Sequence, residues 1–151
     1  MADGPDAKAL AHAAYGGPRV TAQRLIIARA TDAKVDRAFS IDDLASDVRA
    51  TDPRIGLATV YRAVAAMEAT GFVEKLGMRD GAALYARCAH RGHHHHLMCT
   101  GCGAVTDVEC TVDTRSATGR GDFEITDHRL VLYGLCGRCA EGGGRDAEHV
   151  G

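Results

Sequence analysis

The sequence predicts an α+β chain: an N-terminal winged helix-turn-helix domain followed by a small α/β domain that carries a four-cysteine zinc site. Three observations predict it. Short apolar-periodic stretches bounded by capping or breaking residues follow one another through residues 8–69. Two β-prone runs then flank Met78-Arg79-Asp80-Gly81. Beyond them, Cys99-x-x-Cys102 and Cys136-x-x-Cys139 frame a segment that begins with four consecutive histidines, His93 to His96.

Each element has its own justification. Lys8 to Tyr15 is Ala-rich with apolar Leu10, Ala14 and Tyr15, and Gly16-Gly17-Pro18 ends any helix there. Thr21 can cap a second helix to about Ala33, with Ile26, Ile27 and Ala30 inward and Gln23, Arg24 and Arg29 toward solvent. Ser40-x-x-Asp43 resembles a capping box with Asp for the usual Glu, and Ile41, Leu44, Ala45 and Val48 follow at helical spacing until Asp52-Pro53. Leu57, Val60, Val64 and Met67 line one face of a fourth helix that Gly71 ends. Phe72 to Leu76 and Ala83 to Tyr85 then read as a β-hairpin behind packed helices. Helix-turn-helix plus hairpin makes a winged helix.

Off the apolar stripe of the fourth helix lie Thr59, Tyr61 and Arg62. Arg can pair twice with guanine in the major groove, and an aromatic group can contact the thymine methyl. Taken alone, one Tyr and one Arg on an exposed helical face read first as a solvated surface; the winged-helix context gives them a reading function.

Character changes at residues 90–92, a small polar break that serves as a hinge between a domain over 1–89 and a second over 93–140. His93 to Met98 and Ala104 to Val108 should pair as strands, Phe123 to Ile125 and Arg129 to Tyr133 should add two short ones, and the Gly-rich charged tail, 141–151, should be disordered. Two Cys-x-x-Cys turns offer four thiolates, Cys99, Cys102, Cys136 and Cys139, to one structural Zn²⁺. That closed sphere leaves no position for the histidines, so a second metal function is implied. Alternate strand residues face opposite sides, so His93 and His95 share one face and His94 and His96 the other. A single strand can therefore serve two sites.

Composition bounds the rest. The 151-residue chain has six cysteines, no Trp and a formal net charge of -2, so affinity for nucleic acid requires a local basic face. Met1-Ala2-Asp3-Gly4-Pro5 lacks the pattern of a secretory signal, and no apolar run approaches the ~20 residues that span a bilayer. The expected location is cytoplasmic, where paired cysteines point to metal before disulfides.

The chain resembles the Fur superfamily of metal-dependent repressors. The resemblance rests on Arg19-Val20-Thr21-Ala22-Gln23-Arg24, on Gly56-Leu57-Ala58-Thr59-Val60-Tyr61-Arg62, on His93 to Cys99 with Cys102-Gly103, and on His128 to Gly134 with Cys136 and Cys139. It implies a homodimer that binds a pseudo-palindromic DNA operator when a regulatory metal is bound, the second domain serving dimerisation. It implies no membrane and no small-molecule substrate.

Among its subgroups the chain is most similar to the zinc uptake regulators, whose regulatory site maps onto Glu74, Cys88, His94 and His96. A thiolate in that set suits Zn²⁺ better than oxygen-preferring Mn²⁺. Iron and peroxide sensors of the superfamily take an N-terminal-domain histidine at a position that reads Ala38 here, and no histidine lies between His12 and His90. A third site maps onto His93, His95 and His128 with a carboxylate for which Asp113 is the expected residue; Glu109 and Cys110 are the other candidates, although Cys110 reads most simply as a small core residue. The resemblance also implies base contacts from Tyr61 and Arg62, phosphate contacts from Thr59 and Arg24, and a groove or backbone contact from Arg19. Rival readings are a regulator responding to iron, manganese, nickel or peroxide, a zinc store, and a zinc hydrolase. An enzyme is disfavoured, because no nucleophile or phosphate-binding loop accompanies the metal ligands.

Overall fold

The computed structural model describes residues 5–17, 19–89, 92–114 and 124–142. Expectations that fall on Pro18, His90, Arg91, Phe123 and the tail from 143 lie outside them.

Four helices open the chain: α1 (Pro5–Tyr15), α2 (Ala22–Asp32), α3 (Ile41–Thr51) and α4 (Leu57–Ala69). Thr21 caps α2 by accepting from the Arg24 backbone N–H. At α3 the capping box is complete: Asp43 N donates to Ser40 Oγ at 3.1 Å, and Ser40 N donates to Asp43 Oδ2 at 2.9 Å. Each satisfies a backbone donor that a helix start leaves without an internal partner.

Between α2 and α3 lies β1 (Phe39–Ser40), which pairs with β3 (Ala82–Arg87); β3 in turn pairs with β2 (Val73–Arg79), in the order β1-β3-β2. The β2–β3 turn places Asp80 and Gly81 at φ 50 and 78, the left-handed pair that matches the twist of a tight hairpin. Ile27, Phe39, Leu44, Val48, Ile55, Val60, Val64 and Met67, each at most 2 % exposed, form the core under this wing. Each such side chain contributes about 1.5–3 kcal/mol of apolar burial.

Several expectations are corrected. Helix α1 begins at Pro5, before Lys8. In α2 the fully buried residues are Leu25, Ile27, Ala28 and Thr31, with Ile26 and Ala30 half-buried at the rim. Thr31 is tolerated inside because its hydroxyl donates to Ile27 O at 2.9 Å. In α4 the inward face is Val60, Ala63, Val64 and Met67, while Leu57 is 36 % exposed; Leu57 is the first helical residue and projects past the edge of the core.

The second sheet has the order β5-β4-β6, from β4 (His94–Cys99), β5 (Val105–Glu109) and β6 (Val131–Gly134). β5 runs antiparallel to β4 and β6 parallel to it. Glu124 and Ile125 form no strand, contrary to expectation, and both are exposed. A one-turn helix, α5 (Gly137–Glu141), carries Cys139 and includes Glu141, which the sequence had assigned to the tail.

The two halves touch closely. Leu76, Leu84 and Ala86 of the wing share an apolar cluster with Met98 and Val105 of the second sheet. The α2–α3 connection lies against the first Cys-x-x-Cys turn: Ala38 N donates to Gly103 O at 2.9 Å, Val105 N to Asp36 O at 3.1 Å, and Arg37 Nη2 to Cys102 O at 3.0 Å. The junction is thus packed as well as tethered.

Candidate metal centres

Three groups of donor atoms, each gathered within 4.8 Å, stand along β4. The first is at its C-terminal end. Cys99 closes β4, Cys102 sits in the following turn, Cys136 caps α5 and Cys139 lies within it. Cys102 Sγ and Cys136 Sγ are 3.8 Å apart, the separation expected of thiolates held about 2.3 Å from a tetrahedral zinc. Gly101 makes this approach feasible: a Cβ there would meet Cys139 Sγ at 3.0 Å and Cys139 Cβ at 3.1 Å. The Cys136 backbone N–H, 3.3 Å from Cys99 Sγ, lowers the Cys99 pKa to about 6. Cys139 is pushed up to about 12, chiefly by its hydrogen bonding with Cys136, Cys99 and Cys102. Four thiolates so close repel one another, and only a cation at their centre lets all four ionise.

The second group joins the halves. Glu74 comes from β2, Cys88 follows β3, and His94 and His96 project from one face of β4. His96, fully buried, places Nε2 3.1 Å from Glu74 Oε2 and 3.9 Å from Cys88 Sγ. Its Nδ1 lies 3.1 Å from Asp107 Oδ1, off the line of a hydrogen bond. The hydrogen bond with His96 holds the Glu74 carboxyl below its ordinary range. Burial raises the Cys88 thiol to about 12, and the Glu74 and Asp107 carboxylates add to that effect.

One atom here has no use without a ligand. His94 Nδ1 stands 2.8 Å from Gly92 O, so it carries the ring proton and donates it. His94 Nε2 then holds a lone pair, yet it is buried with no hydrogen-bond partner. Fixing one ring nitrogen by a backbone carbonyl while the other binds metal is the usual arrangement of a ligating histidine. The donor set therefore fits a metal ion of zinc's preference.

The third group uses the opposite face of β4. His93 Nε2 and His95 Nε2 lie 3.0 and 3.2 Å from His128 Nε2. Where the sequence expectation named Asp113, the side chain gathered with these three imidazoles is Cys110, with Sγ 3.1 Å from His128 Nε2. Cys110 directly follows β5 and turns toward His128, whereas Asp113 lies three residues on, exposed and outside regular structure. Burial lowers the His95 pKa and so favours its neutral form.

On α4, Tyr61 is 52 % exposed. Arg62 is exposed too, and its Nη2 donates to the half-buried Thr59 Oγ1 at 3.3 Å. Arg19 is exposed. Arg24 is half-buried: it packs over the Tyr15 ring at 5.0 Å and donates to Arg19 O at 3.2 Å. The basic and aromatic groups named from the sequence thus lie on α2, α4 and the approach to α2. Among the described residues no helix is long and apolar enough to cross a membrane.

Comparison with known proteins agrees with this geometry. A model of the ferric uptake regulator family matches residues 16–133. The ferric uptake regulation protein of Bacillus subtilis strain 168 is 36% identical over 126 residues, covering 80% of this chain and 85% of that one. Among solved structures, a zinc uptake regulator complexed with zinc and DNA aligns with a TM-score of 0.68 at 27% identity, over 83% of this chain and 85% of that one. A zinc-bound manganese uptake regulator aligns with a TM-score of 0.55 at 30% identity, over 84% and 98%.

Proposed function

The chain belongs to the ferric uptake regulator family, a family of metal-responsive transcription regulators and not of enzymes, and from that premise we propose that it is a cytoplasmic, zinc-sensing repressor of zinc uptake genes. The observation that carries the choice of metal is the donor set Glu74, Cys88, His94 and His96, with the orphaned His94 Nε2 at its centre. A buried thiol among imidazoles suits zinc, whereas manganese seeks oxygen donors. The similarity to a zinc uptake regulator solved with zinc and DNA supports the same reading.

Zinc bound at this set supplies a charged four-ligand bridge. Glu74 and Cys88 bring it the wing; His94 and His96 bring it the second sheet. Gly92 O orients the His94 imidazole from behind, and the Asp107 carboxylate lies against the far side of His96. In a homodimer, the separation of the two α4 helices decides whether both enter major grooves one helical turn apart, about 34 Å. Fixing Glu74 and Cys88 against β4 fixes each wing and so that separation. The coupling is reciprocal, about 1–3 kcal/mol, so operator DNA tightens zinc equally. The Cys99, Cys102, Cys136 and Cys139 set would hold a permanent structural zinc.

Pairing of two copies is supported by an apolar face on the second sheet: Leu97 and Leu132, in register across β4 and β6, are 37 % and 45 % exposed. Tyr61 and Arg62 read bases, while Thr59, Arg24 and Arg19 hold backbone.

An iron-responsive reading has its own support, since the Bacillus subtilis relative is a ferric uptake regulation protein. Against it, the expected position of an extra N-terminal histidine is Ala38, whose backbone N–H is engaged by Gly103 O. Titrating DNA binding with Zn²⁺, Fe²⁺ and Mn²⁺ separates the two. Activation by zinc at far lower free metal than by the others supports zinc sensing; equal or better activation by iron overturns it.

A further inference from the structure

We propose that Arg87 is a positioning residue for the zinc response: it ties the Cys88 ligand to the end of α2, so that zinc capture by Cys88 fixes the helix that carries Arg24. The proposal rests on zinc at Glu74, Cys88, His94 and His96 governing DNA binding, and adds how that event is passed on within the winged domain.

Arg87 is the last residue of β3 and directly precedes Cys88. Its guanidinium meets three parts of the winged domain at once. Nε and Nη2 donate to Asp32 Oδ1 at 3.0 and 2.7 Å, and Nη1 donates to Cys88 O. The same group lies over the Phe72 ring, with Cζ 4.6 Å from the ring centre. Cys88 N in turn donates to Phe72 O at 3.0 Å, and Phe72 N donates to Met67 O of α4 at 2.9 Å. Both backbone polar groups of the ligand are therefore engaged. One leads through Phe72 to α4, and the other through Arg87 to Asp32, the last residue of α2.

Asp32 stands at the end of its helix where the dipole disfavours an anion. What it gains there is Arg87, 55 residues away in sequence. The Asp32 side chain is 43 % exposed, so the ion pair by itself stabilises the fold little. Its use lies in direction. A planar guanidinium spans Asp32 and Cys88 O with one rigid fork of donors, which the point charge of an ammonium cannot do. Zinc ties Cys88 Sγ to the imidazoles of β4; Arg87 carries that constraint from the Cys88 backbone to α2. By linkage, ordering of α2 on DNA steadies Cys88 for zinc.

The test uses the full-length protein with zinc retained by its four cysteines and a labelled operator selected on the wild-type protein. Fluorescence anisotropy gives DNA affinity with the Glu74, Cys88, His94 and His96 set saturated by zinc, and with it emptied by a chelator too weak to strip four thiolates. The ratio of the two affinities should be about 5–150 in wild type. Arg87→Lys keeps the charge but cannot hold Asp32 and Cys88 O together, and should shrink the ratio about 3-fold or more. Asp32→Asn weakens the same link from the far side, leaves every Cys88 contact in place, and should shrink the ratio likewise. The double variant should lose no more than the worse single one, because both break one connection. Variants that lower Tm but keep the wild-type ratio would make Arg87 a structural residue and overturn the proposal. So would a double variant whose loss is the product of the two single losses. A wild type whose DNA affinity ignores zinc would overturn zinc sensing along with this role of Arg87, whereas a responsive wild type with equally responsive variants overturns the role of Arg87 alone.

Discussion

His96 Nε2 lies 3.1 Å from Glu74 Oε2, and this pair joins the second sheet to the first strand of the wing. His96 is fully buried and Glu74 half-buried, so the contact is shielded from solvent and competes little with water. It places two donor atoms from opposite sides of the junction within reach of one ion.

Glu74→Gln keeps the shape of that contact and removes the charge. The variant should retain the zinc of its four cysteines, while affinity for the zinc held with Cys88, His94 and His96 falls by more than about 10-fold. DNA binding should then need correspondingly more zinc. Metal content after dialysis and fluorescence anisotropy with labelled DNA check both; an unchanged zinc requirement would remove Glu74 from the bridge.

Gly101→Ala tests the four-cysteine end. The added Cβ would stand 3.0 Å from Cys139 Sγ and 3.3 Å from Leu135 Cδ2, and a sulfur held by metal cannot swing aside. Overpacking of this kind costs about 1–3 kcal/mol. A lower Tm and faster loss of zinc to a chelator are expected, with wild-type behaviour meaning that the turn relaxes freely.

The capping box of α3 gives a pH signature. Asp43 has its folded pKa held below the ordinary 3.8, mainly by the Ser40 backbone N–H. Its stabilising contribution is therefore present above that value and disappears as pH falls through the folded pKa. Asp43→Asn should destabilise at neutral pH by about 0.3–1 kcal/mol. Urea unfolding should show the wild-type advantage shrinking in strong acid; a difference independent of pH would assign the effect to helix propensity.

Arg62→Ala should cost about 1–3 kcal/mol on the preferred operator and relax selectivity at one position, with zinc content and dimerisation unaltered. Arg19→Ala should instead weaken all sequences about evenly and reduce the salt slope by about 1. Binding measured on operator and scrambled DNA at several salt concentrations distinguishes them. Loss of zinc in Arg62→Ala would mark a structural residue.

Local signals made much of this fold and site legible. Ser40 and Asp43, the Asp80-Gly81 turn and the two Cys-x-x-Cys pairs act over a few residues, so spacing reveals them. The alternation of His93 to His96 across β4 follows from strand geometry alone. Cys110 stands in the sequence only as an alternative to Asp113, because its neighbour His128 meets it only after the chain returns toward β6. β1 and α5 are too short for any periodicity, and β1 exists because Phe39 and Ser40 pair with Tyr85 and Leu84. The packing of Ala38 and Arg37 against the first cysteine turn likewise depends on tertiary approach.

The most direct test of the central claim is the number of zinc ions per chain at which DNA binding appears, in wild type and in Cys88→Ser. Wild type holding zinc only at its four cysteines should bind DNA weakly and gain specific binding on taking a zinc at Glu74, Cys88, His94 and His96, while Cys88→Ser keeps its structural zinc and loses the response. Normal zinc-dependent DNA binding in Cys88→Ser would contradict it.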